Sequence, residues 1–168
     1  MITRFTHLLW SRAARTALLP IAVALALLPS VAPALAQAQR TPLAGVQTTA
    51  LDFSTVNHFK GAGPWLLAQD LTTSGTFNFG ALAGTVIAVV NVRYDPTGAG
   101  QVWGTVTYTA TSGLVCSGNV SGELTGFLLN AHIVAPCSDG SLLQGTSQDV
   151  SNDFVTVVSN FQGELLSP

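Results

Sequence analysis

Ser121, Glu123 and His132 are the residues whose types and spacing come nearest to a catalytic set. A hydroxyl, an imidazole and a carboxylate within hydrogen-bond reach can run acyl transfer, the imidazole taking the hydroxyl proton while the carboxylate orients it. A hairpin bending at residues 126 and 127 sets Ser121 opposite His132, with Glu123 diagonal to it. The remaining parts of that chemistry are missing. No Gly-x-Ser-x-Gly elbow occurs, and a flat strand face offers no oxyanion hole. The competing reading of these three residues is an ordinary polar strand face.

A second set is Asp149, Asn152 and Asp153. Oxygen-rich loops hold calcium, but this spacing is not that of an EF-hand. Asp and Asn also favour turns, because their side chains bond to nearby backbone. The reading is therefore a turn before the last strand, with a metal site as its rival. Asp139-Gly140-Ser141 reads as another turn. His58 and His132 lie far apart and the two cysteines pair with each other, so no zinc set forms. No phosphate loop or dinucleotide fingerprint is present, and no cofactor is expected.

A third set is aromatic. Tyr94 and Tyr108 fall on inward strand positions and are candidates to line a cavity. Trp103 falls on the Thr-rich face, where an exposed ring can stack on a sugar or a partner surface. These three are the ligand-binding candidates.

The elements that must position these residues begin after an export signal. Arg4, Arg12 and Arg15 precede an apolar run from Ala17 to Leu28, and Ala34-Leu35-Ala36 follows. A basic start, an apolar stretch and a small-residue site in that order make a cleavable signal peptide over residues 1–36. Cleavage after Ala38 is the alternative. The apolar run is short for a membrane span and is bracketed by Pro20 and Pro29.

Without that segment, Arg40, Lys60 and Arg93 face all eight acids, and the formal charge becomes −5. Such a chain cannot neutralise many phosphates, which argues against nucleic acid and anionic membrane as partners. About 130 residues remain, the size of one domain. In an exported chain, Cys116 and Cys137 pair most simply with each other.

Period-two patterning dominates these residues. Thr85 to Tyr94 and Gln101 to Ala110 alternate, joined by Asp95-Pro96-Thr97-Gly98-Ala99-Gly100, a turn by composition. A Gly-first, type II′ turn at Gly126-Phe127 pairs Leu124/Leu129, Gly122/Ala131, Val120/Ile133, Gly118/Ala135 and Cys116/Cys137 on one apolar or small face. It pairs Glu123/Asn130, Ser121/His132 and Asn119/Val134 on the other. A slip by one would send each apolar residue to the wrong face.

Further strands are expected over Val155 to Leu165, over Gly75 to Ala81, and briefly around Leu143 to Ser147. Trp65-Leu66-Leu67 and the neighbourhood of Leu51 and Phe53 are weaker candidates. Residues 37–46 show no periodicity and read as a flexible leader, leaving 47–168 as a single all-β domain.

Eight or nine strands with short links imply an antiparallel up-and-down β-barrel of about eight strands, with a β-sandwich as the alternative. Glycine and alanine at inward positions favour the barrel, because they let backbones bend and approach. A membrane barrel fits less well, since aromatic girdles are absent from the pattern.

The functional expectation is a secreted, non-catalytic module for binding or self-assembly. Its alternatives are a carrier of a small apolar ligand, and a barrel isomerase or cyclase using Glu123, His132 and Tyr108.

Overall fold

In the computed structural model, residues 39–168 are described, and the export-signal reading of residues 1–36 lies outside them. Nine strands follow one another: β1 (Gln39–Asp52), β2 (His58–Ala62), β3 (Trp65–Asn78), β4 (Ala83–Tyr94), β5 (Gly100–Ala110), β6 (Val115–Thr125), β7 (Leu128–Pro136), β8 (Leu142–Asn152) and β9 (Thr156–Ser167). A single 3-10 turn, Phe53–Thr55, separates β1 from β2. From β2 to β9 each strand pairs antiparallel with its sequence neighbour. β9 returns to β1 over Gln39–Ala50, and β1 pairs with β3 over Val46–Asp52. The result is a closed antiparallel barrel of eight strands, with β2 as a short addition beside β3. A sandwich is thereby excluded.

Alternation drives this closure. Val102, Val106, Tyr108 and Ala110 of β5 are buried, whereas Gln101, Trp103, Thr105 and Thr109 are exposed. The β6–β7 register joins Val120 to Ile133, Gly122 to Ala131 and Leu124 to Leu129 on the inner face. Ser121 faces His132 and Glu123 faces Asn130 on the outer face. Cys116 and Cys137 oppose each other and form the disulfide. Register, turn position and bridge therefore agree with the sequence pattern.

Glycine allows the wall to curve. A Cβ on Gly118 would overlap the Val134 carbonyl and the Ala135 Cα of β7. Only a residue without a side chain lets these two strands approach so closely.

Four local expectations are corrected. The turn at Gly126-Phe127 has φ of 57° and 67°, so it is type I′ rather than type II′. Both central residues are left-handed, the twist that matches the flanking strands. Of the flexible leader expected over 37–46, the residues from Gln39 onward instead form the first half of β1 and pair with β9, while 37 and 38 lie outside the described residues. Trp65-Leu66-Leu67 and Gly75-Phe77 belong to one long strand, β3, kinked by a register shift between Ala68 and Leu71. Ala81 lies outside β3, in the turn where the Phe79 N–H donates to the Leu82 carbonyl.

The two ends of the barrel differ. At the disulfide end Phe77, Phe79, Tyr108 and Phe161 pack at centroid distances of 4.1 to 5.7 Å, with Phe79 and Phe161 stacked and the other pairs tilted or edge to face. Leu143 and Ala135 are fully buried beside them. This aromatic plug seals that end. The opposite end carries residues 53–64, the link 95–99, the turn at 126–127 and the link 153–155.

Candidate functional site

Above the plug the lumen stays open as a cavity of about 150 Å³. Its wall is two-sided. Val86 and Val90 of β4, Val102 and Val106 of β5, Val120 and Leu124 of β6, and Ala131 and Ile133 of β7 make an apolar arc. Gln47 and Thr49 of β1, Ser147 and Asp149 of β8, and Ser159 of β9 make a polar seam facing it. A void of this size accommodates roughly one small aromatic ring.

The seam is hydrogen-bonded. The Ser159 hydroxyl donates to Asp149 Oδ1 at 2.7 Å, and the Leu129 N–H donates to Asp149 Oδ2 at 3.0 Å. Tyr108 donates its phenol proton to Gln47 Oε1 at 3.1 Å. Burial pushes the Asp149 carboxyl above its ordinary value, while its two hydrogen bonds pull the other way. Burial also pushes the Tyr108 phenol upward. A buried carboxyl and several neutral polar groups can therefore orient a guest that is otherwise held by apolar contact.

The mouth is aromatic. Phe127 meets Tyr94 at 5.7 Å and Phe154 at 5.1 Å, both edge to face. Phe53 also lines the opening. Phe127 and Phe154 hold φ of 67° and 65°, and Asp70, in the β3 kink at the same end, holds 60°. These are the non-glycine residues with positive φ among the described residues. Such conformations cost about 1 to 3 kcal/mol each and persist where surrounding bonds over-determine them.

The bonds are visible. Asn152 accepts from the Phe154 N–H at 2.9 Å and donates Nδ2–H to the Phe127 carbonyl at 3.0 Å. Asp153 accepts from the N–H groups of Val155 and Thr156 at 2.9 and 2.6 Å. The Phe127 N–H reaches the Gly98 carbonyl at 3.0 Å.

The sequence candidates sort onto two sides of the wall. Ser121, Glu123 and His132 are exposed on the outer face, with Trp103 in the same shallow depression. Tyr108 is inside, so Glu123, His132 and Tyr108 cannot form one site. Tyr94 and Tyr108 both line the lumen, and Trp103 does not.

The turn reading of Asp149 is corrected. It lies within β8 and points into the cavity on the same parity as the buried Leu143 and Ser147, ahead of the register shift between Asp149 and Ser151. Asn152 and Asp153 each hold a different part of the mouth. No group of three metal-ligating side chains occurs among the described residues. Gln47, Thr49, Ser147 and Ser159 were not among the site candidates: Ser147 and Ser159 share the parity of their strands' apolar residues and read as ordinary inward positions, whereas Gln47 and Thr49 interrupt the apolar alternation of β1. Phe127 and Phe154 escaped it too; a phenylalanine in each of two tight links was the available signal.

Compared with known proteins, the chain matches no family model, no curated protein and no solved structure.

Proposed function

We propose that this chain is an exported, non-catalytic binding barrel that carries one small apolar ligand in its lumen. The observation behind this reading is the asymmetry of the barrel. One end is plugged by packed rings, the other is rimmed by them, and a void of about 150 Å³ lies between. Small barrels with such an interior hold a single small molecule. The apolar arc supplies transfer free energy of roughly 25 cal/mol per Å² buried. The polar seam orients the guest.

Self-assembly through sheet edges is less well supported. Closing the ring removes the long free edges that a sandwich would present. The disulfide fits an oxidising compartment and so accords with export.

Toluene is the simplest probe, and its binding can be measured calorimetrically on the disulfide-intact protein. Saturable one-site binding is expected, and Ala88→Leu should weaken it at least tenfold by filling the lumen. Ala88 lines the cavity and is only half-buried, so a folded variant is expected. Failure of toluene and of its polar analogues to bind would count against a lumen carrier.

A further inference from the structure

We propose that the natural occupant of the lumen is a small apolar amine whose ammonium group pairs with Asp149. This rests on the lumen being a ligand site, and it names the chemistry of the ligand. Asp149 is 8% exposed. Its two oxygens each accept one hydrogen bond, both from neutral donors, Ser159 and the Leu129 backbone. An ionised carboxylate offers about four acceptor positions, so capacity remains on the cavity side.

No Lys, Arg or His lines the cavity among the described residues. Arg40 pairs with Glu164, Arg93 lies over the Trp65 ring at 4.6 Å, and His132 is on the outer face. A buried carboxylate without a cation is costly, because neutral hydrogen bonds replace only part of its hydration. A guest that brings the positive charge removes that cost.

Other features select the same guest. The mouth that any ligand must pass is built from Tyr94, Phe127, Phe154 and Phe53, and aromatic faces attract cations. The arc opposite Asp149 is aliphatic, so the remainder of the molecule must be apolar. The volume limits that remainder to about one ring or its aliphatic equivalent. The competing role for Asp149 is structural. The β7–β8 ladder extends only to the Asn130–Gln148 pair, and the Asp149 carboxylate satisfies the Leu129 N–H beyond it.

The test compares benzylamine, benzyl alcohol and toluene on the disulfide-intact protein at neutral pH. Benzylamine is expected to bind at least tenfold more tightly than benzyl alcohol. In Asp149→Asn that preference should vanish while the alcohol affinity changes less than about threefold. Should the variant fail to fold, the pH dependence of the wild type decides instead. Asp149 is met by Leu129 of β7 and Ser159 of β9, Gln47 of β1 lines the same cavity beyond Ser159, and the other titratable groups on the cavity wall among the described residues are Tyr94 and Tyr108. Phenols do not ionise in the acid range. Loss of the amine preference on acidification therefore reports Asp149, and a preference unchanged down to about pH 3 contradicts the pairing. Equal binding of amine and alcohol overturns the amine proposal and leaves the lumen reading standing. Absence of binding by all three compounds overturns the lumen reading itself.

Discussion

At the scale of single residues, Asp149 and Asn152 carry opposite kinds of work. Asp149 is a buried acid whose carboxyl is raised by desolvation. A raised native value means that the folded state holds its proton more strongly than the unfolded chain does. Stability from this group is present at low pH and is lost as pH rises from about 3.8 through the native value. Asp149→Asn removes that dependence. Its stability relative to wild type should therefore improve between about pH 3 and pH 7, as read by urea denaturation at each pH.

Asn152 ties two strained loops together. Asn152→Ala removes its bonds to Phe154 and Phe127 and should cost about 1 to 2 kcal/mol. It should also speed ligand release, a change visible in stopped-flow displacement. The turn residue Gly126 isolates a backbone effect. Its φ is 57°, and no atom lies within 4 Å of an added Cβ. Gly126→Ala should still destabilise by about 1 kcal/mol, because an L side chain disfavours the left-handed region.

At the scale of elements, the β6–β7 hairpin is the unit in which pattern, turn and sulfur reinforce one another. Deleting the bridge as Cys116→Ala with Cys137→Ala reopens a loop of 21 residues. The expected loss is about 3 kcal/mol in the chain-entropy model, measurable by chemical denaturation. Gly118 makes a sharper test of the close approach to β7. Gly118→Val should cost more than the 1 to 3 kcal/mol typical of overpacking, because the added atoms meet backbone rather than a movable side chain.

This hairpin was readable from sequence because every inner position from Cys116 to Leu124 is apolar or glycine. β1 was not, because Gln47 and Thr49 point inward and Pro42 interrupts the run. Its place is set by the partners β9 and β3, which local pattern does not contain. The turn type was misread for a related reason. Glycine first suits both II′ and I′, and only the twist of the assembled strands puts Phe127 at positive φ.

At the scale of the whole molecule, the same polar residues that hid β1 form part of the polar side of the cavity. An interior with uninterrupted alternation would fill with aliphatic side chains and bind nothing. Here the arc from β4 to β7 keeps that pattern, and the arc formed by β8, β9 and β1 departs from it. The departure leaves a two-sided lumen and a buried carboxylate. The catalytic candidates Ser121, Glu123 and His132 were chosen by residue type and hairpin register, and closure of the barrel leaves the polar face that carries them outside, away from the lumen. The cavity candidates Tyr94 and Tyr108 were chosen by parity, and parity survives closure.

The most direct test of this account is a methyl NMR titration of the intact protein with toluene. Saturable shifts are predicted at Val90, Val106 and Ile133, with Ile87, Val89 and Val134 on the outer wall unmoved. Shifts confined to those outer methyls, or none at the inner ones at saturating toluene, would contradict it.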